Sequence, residues 1–175
     1  MTKTTPEEMF QDAQQTATAR YAGADLDALC RAWVWNQIIL DRTDVDSLDA
    51  ERVNSLAVRD VLKRQAARFG LGNTLREHIE QHRPELLTSK GLHESALAAV
   101  TKLYRALADR RGDVLFEKLL DQLAAAIEAS DEVESKRLFG LMKGMAWWTW
   151  MNEATHAEDT WNLRLDALDA VHVVT

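Results

Sequence analysis

The chain has 175 residues and a net charge of −7, with 46% hydrophobic and 28% charged residues, enough to bury a sizeable core. A lone Cys30 excludes an internal disulfide framework and a cysteine-based zinc site within one chain, and it suits a reducing cytoplasm. No apolar run approaches the ~18 residues a membrane helix needs, and the start, MTKTTPEEMF, lacks an apolar core and a small-residue cleavage site. A cytoplasmic protein is the expectation.

Helix formers dominate, while seven Gly and two Pro leave little material for turns. Thr5-Pro6-Glu7-Glu8 reads as a helix start, with Thr as N-cap, Pro in the first turn and an acid three residues on. Met9, Phe10, Ala13, Ala17 and Tyr21 then share a face until Gly23, and Asp25 caps the next helix. In that second helix Leu26, Leu29, Cys30, Trp33 and Gln37 lie on one side, with Trp35 and Ile39 on another. A helix apolar on two sides is expected to be central.

Ser47 is expected to open a long third helix with the stripe Val58, Val61, Leu62, Gln65 and Phe69. Gly70 and Gly72 stop it, and a short helix near Asn73 to Gln81 precedes Pro84. Ser89 is the expected cap of a fifth helix built on Ala96, Val100, Leu103, Tyr104 and Leu107 and ended by Gly112. The sixth carries Phe116, Leu119, Leu120, Leu123 and Ile127. The seventh starts near Asp131 with Leu138, Leu141, Met142, Met145 and Trp148. Trp161, Leu165 and Leu168 mark an eighth segment or a continuation. VHVVT alone has strand character, and one short strand has no partner. The pattern predicts an all-α protein, a single-domain bundle of six to seven helices, with an acidic N-terminal helical pair over 1–46 and a main bundle over 47–175.

Few constellations suggest chemistry. Glu153 and His156 form one Glu-x-x-His, whereas a di-iron bundle needs the motif twice and a Glu from each of two further helices. His78 and His82 stand four apart on a helix, but they do not form His-Glu-x-x-His and no third ligand is evident. There is no phosphate loop and no nucleophile elbow. No catalytic residue, no metal site and no cofactor are expected. In MAWWTWM, Trp148 shares the Leu141–Met145 face and is expected in the core. Trp147 and Trp150 face away with Met151, more in keeping with packing than with an exposed anchor. Gly140 and Gly144 leave a groove where another helix could come close.

One segment stands out by charge. From Arg52 to Arg83 seven Lys and Arg face three acids, while the rest of the chain carries 14 cations against 25 acids. Arg52, Arg59 and Lys63 form one row on the third helix, and Arg64 and Arg68 a second, both off the apolar stripe. Asp60 can pair with Arg64 at i, i+4, and too few acids remain to neutralise the others. With Arg76 on the following helix, these residues are the candidate contacts to a phosphate backbone. The alternative is a helical adaptor or regulator that binds an acidic protein partner through the same patch.

At RFGLGNTLREHIEQ a long helix ends at Gly-Leu and a Thr-Leu helix restarts. Downstream, ESKRLFGLMKGMAWWTWMNEATHAED has an Arg-containing helix leading to Trp-x-x-x-Ala. This order resembles the small helical subunit of type III CRISPR effector complexes, with counterparts in type I and type IV systems, over roughly Leu56 to Asp159. The resemblance implies a non-catalytic bundle that stacks in several copies along the effector, beside the backbone subunits. Its basic surface would lie near guide RNA and target nucleic acid. Arg59, Lys63, Arg64 and Arg68 fit that role by position and charge. In one departure, Asn152 and Glu153 follow the tryptophan segment, where a cation is common in the family.

Overall fold

A computed structural model describes residues 4–46, 49–111, 114–144 and 160–175, with the side chains of 108–111 excepted. It is all-α. The eight helices among the described residues are α1 (Pro6–Tyr21), α2 (Leu26–Arg42), α3 (Ala50–Ala66), α4 (Leu75–His82), α5 (Ser89–Arg111), α6 (Val114–Glu128), α7 (Glu132–Gly144) and α8 (Trp161–Val174). Three short 3₁₀ turns join them at Ala67–Phe69, Gly72–Thr74 and Pro84–Leu87.

The chain gathers into two compact units, Met1–Pro84 and Glu85–Thr175. The boundary therefore falls after α4 and not between an N-terminal pair and the rest. The reason is packing: α1 and α2 both bury their apolar sides on α3. The third helix belongs with the first two because it packs on both of them.

In the first unit the local signals act as expected. Thr5 and Glu8 exchange reciprocal hydrogen bonds in a capping box, and the Asp25 carboxylate accepts the Ala28 N–H at 2.8 Å. Helix α2 is buried on several sides, with Leu29, Cys30, Ala32, Trp33, Val34, Trp35, Ile39 and Leu40 enclosed. The N-cap of α3 is Asp49, whose carboxylate accepts the Arg52 N–H at 2.9 Å. Ser47, the expected cap, lies outside the described residues. Val61 and Leu62 are buried as expected, joined by Val53, Ala57 and Ala66, but Phe69 is 40% exposed. It sits in a 3₁₀ turn, where the three-residue period rotates it away from the α-helical stripe.

The second unit centres on α5, which packs against α6, α7 and α8, while α7 touches both α6 and α8. Ala96, Val100, Leu103 and Leu107 of α5 are enclosed with Phe116 and Leu123 of α6 and with Leu138, Phe139 and Met142 of α7. The cap of α5 is Thr88, one residue before the expected Ser89: its hydroxyl accepts the Gly91 N–H at 3.0 Å and donates to the Glu85 carbonyl at 2.7 Å. Asp131 caps α7, as read from the sequence. The last helix runs through the valines of VHVVT to Val174, with Thr175 as its C-cap: Val171, Val173 and Val174 are buried, with Ala167 and Ala170 fully enclosed. Burial in a helical unit outweighs the strand preference of valine. The buried side of α8 is not the Trp161–Leu165–Leu168 side, for Trp161 is 46% exposed. Gly112, Met145, Trp147, Trp148, Trp150, Met151, Asn152, Glu153 and His156 lie outside the described residues.

Candidate nucleic-acid interface

The six cations singled out by the sequence all belong to the first unit, on α3, the corner after it and α4. Helix α3 runs into the 3₁₀ turn Ala67–Phe69 and closes on Gly70, whose φ of +73° lets the Leu71 N–H reach the Ala66 carbonyl at 3.1 Å. This is a Schellman-type stop, and glycine adopts its left-handed backbone without a Cβ penalty. Gly72 follows at φ +35°, and at both glycines nothing described lies within 4 Å of where a Cβ would stand. The corner therefore has an open approach to its backbone.

Around it the cations divide into two groups. Arg52 and Arg59 are tied into the fold. The Arg52 guanidinium donates to the Thr43 hydroxyl at 3.0 Å. That of Arg59 lies 5.7 Å from the centre of the Trp33 ring, with its Nε enclosed and without a hydrogen-bond acceptor. The expectation that Arg59 lies off the packing surface gives way here: its long stem lets it fold back over an aromatic ring of the neighbouring helix.

Arg64, Arg68 and Arg76 are more open. Arg64 is 66% exposed and pairs with Asp60 at 2.8 Å, the i, i+4 contact expected from the sequence. Asp60 also accepts from Gln14 Nε2 at 2.8 Å, which links the pair to α1. Arg76, 73% exposed, pairs with Glu80 at 3.1 Å along α4. Arg68 stacks over Phe69 at 5.2 Å while donating to the Ala24 carbonyl at 2.9 Å. Lys63 is half-buried. Surface ion pairs such as Arg64–Asp60 contribute about 0–1 kcal/mol, so a phosphate can displace the carboxylate at little cost.

Arg83, counted in the charge excess but not among the candidate contacts, clamps Asp27 of α2 at 2.5 Å while Arg31 holds the other carboxylate oxygen at 2.8 Å. Burial pushes Asp27 up, but hydrogen bonds and attraction from Arg31 and Arg83 win, holding it below the usual carboxylate range. Arg83 is thus structural, and its partner 56 residues away could not be read from local spacing. Burial pushes the enclosed Cys30 thiol up, which disfavours the thiolate a nucleophile requires.

The second unit offers a recess of about 300 Å³ beside Thr88, His93, Asp131, Glu132 and Ser135. Its lining carries charges of both signs, Lys90 beside Asp131 and Glu132, so it does not form a basic patch. Among the described residues, no group of three His, Cys, Asp or Glu could hold a metal ion, and no helix is long and apolar enough to cross a membrane. Compared with models of known families, with curated proteins and with solved structures, the chain matches none.

Proposed function

We propose that this chain is a non-catalytic architectural subunit that contacts a nucleic-acid backbone through the corner between α3 and α4. The observation that supports this most directly is the display of Arg64, Arg68 and Arg76 around an open glycine corner, in a chain that is acidic elsewhere. Such a surface supplies sequence-independent contacts, and acidic faces elsewhere keep a polyanion in one register. The order of helix stop, restart and tryptophan segment adds the finer reading. By its resemblance to the small helical subunit of CRISPR effectors, the nucleic acid is guide RNA with its target, and the partners are backbone subunits and further copies of this chain.

The test is the salt dependence of RNA binding by the assembled complex. Each phosphate contact to a single strand adds about −0.7 to the log–log slope of affinity against salt. Reversing Lys63, Arg64, Arg68 and Arg76 to Glu is expected to flatten the slope by about 2 if three of them touch phosphate, with the helical circular-dichroism spectrum unchanged. An unaltered slope would leave the acidic-protein adaptor as the better account.

A further inference from the structure

Two imidazoles on α4 have no described partner but each other. His78 and His82 are four residues apart on Leu75–His82, so both leave the same side of the helix. Their ring centres are 4.9 Å apart and their planes are inclined by 42°. Among the described residues neither ring meets a hydrogen-bonding group or a carboxylate. His82 is exposed and His78 half-buried, so water and small ions reach the pair.

The separation has a specific meaning. Two imidazole nitrogens held at about 2.1 Å from one tetrahedral ion place their ring centres about 5 Å apart. The pair already stands at that distance, a spacing from which side-chain rotation can turn a nitrogen of each ring toward one ion. We infer that His78 and His82 form a two-ligand site for an exchangeable divalent ion of the copper, nickel and zinc class. Imidazole selects those ions over magnesium and calcium, which require oxygen ligands. No third described protein ligand completes a cluster; the remaining positions fall to water or to the same pair on a second copy. A site with two protein ligands releases its ion readily, so it is not the resident metal centre that the sequence argued against. The inference is independent of the nucleic-acid reading.

The experiment is a titration of the purified full chain with Zn²⁺ alone, followed by calorimetry, and with substoichiometric Cu²⁺, followed by the histidine ring protons in NMR. One Zn²⁺ per chain, or one per two chains, is expected. His82→Ala, at an exposed position, should weaken binding tenfold or more, and the double variant His78→Ala/His82→Ala should abolish it. Cu²⁺ should broaden the His78 and His82 signals together and spare His93, which stacks on Phe139 at 5.9 Å. Excess Mg²⁺ should not compete. Zn²⁺ affinity within twofold of the parent in His82→Ala, or broadening of one of the two rings without the other, overturns the site.

Discussion

The two units solve the same packing problem with different materials. In the second, large apolar side chains fill the centre beside the buried polar groups of His93, Ser95, Ser135, Thr160 and Arg164, and the Ser135 hydroxyl donates to the Asp131 carbonyl at 2.8 Å. In the first, α2 carries polar atoms inward: among the described residues Trp33 Nε1, Trp35 Nε1, Asn36 Oδ1 and Gln37 Nε2 are enclosed without hydrogen-bond partners, as is Arg59 Nε of α3. Asn36 does donate to the Ser55 carbonyl at 2.9 Å. Each orphaned group forfeits about 1–3 kcal/mol of hydration. Around α2 the packing therefore combines aromatic bulk with the Arg59–Trp33 contact, and these inward polar atoms are its weak points.

That difference can be broken most severely at Trp33. Trp33→Ala removes a core ring and the platform under Arg59, and is expected to cost about 3–5 kcal/mol in denaturant unfolding. Trp33→Phe keeps the platform and deletes the orphaned N–H, so it should recover most of that loss. A Phe variant as damaged as the Ala variant would show that Nε1 has a partner after all.

Glycines sharpen the comparison inside the second unit. A Cβ on Gly91 would stand 1.8 Å from the Glu85 carbonyl oxygen, so Gly91→Ala must push the Pro84–Leu87 turn off the first turn of α5. The expected cost is about 1–3 kcal/mol, against the usual gain for alanine in a helix. At Gly140 nothing described lies within 4 Å of an added Cβ. There Gly140→Ala should stabilise by up to about 1 kcal/mol, read from the shift in melting temperature. In the first unit, Gln37→Met should be neutral or slightly stabilising, because the replacement has the same shape and no orphaned donor.

The particulars show where sequence reading succeeds. Thr5, Asp25, Gly70 and Asp131 were legible because a cap or a stop is decided by two or three neighbouring residues. Asp49 and Thr88 were missed in favour of Ser47 and Ser89, since several capping residues in a row leave the register to the tertiary contacts. The helical VHVVT and the buried side of α8 were illegible for a related reason: what decides them is the α5 and α7 surfaces that α8 packs on. Of the candidate interface, the charge excess was plain. The inward turn of Arg59 was not, because a long flexible side chain can serve a ring on another helix as readily as solvent.

Acid reaches the two units through different groups. His93 of α5 is 4% exposed, and burial pushes its pKa down, with Glu132 raising it slightly and Lys136 lowering it. Its neutral form is the one that folds, so the stability it supports is complete above the ordinary histidine value of about 6.5 and is lost as pH falls through the lowered folded value. Melting of the parent should therefore weaken on acidification below pH 6.5, and His93→Phe, which keeps a ring against Phe139, should remove that dependence. A variant with the same acid limb would place the titrating group elsewhere.

The smallest effect belongs to Asp27, held low by Arg31 and Arg83 despite burial. A carboxylate with a lowered folded value contributes above its unfolded value, about 3.9, and loses the contribution as pH falls through the lower one. Asp27 is 47% exposed, so water screens much of the attraction, and Asp27→Asn should cost no more than about 1 kcal/mol near neutral pH. The cost should be the same from pH 5 to pH 8 and shrink below pH 4, measured as the difference in urea midpoint between variant and parent. Because His93 responds below pH 6.5 and Asp27 only below its ordinary value of about 3.9, the two effects should appear in separate pH windows. A difference that instead follows the His93 window would mean that the Asp27 clamp titrates with the imidazole, and the acid responses of the two units would not be separable.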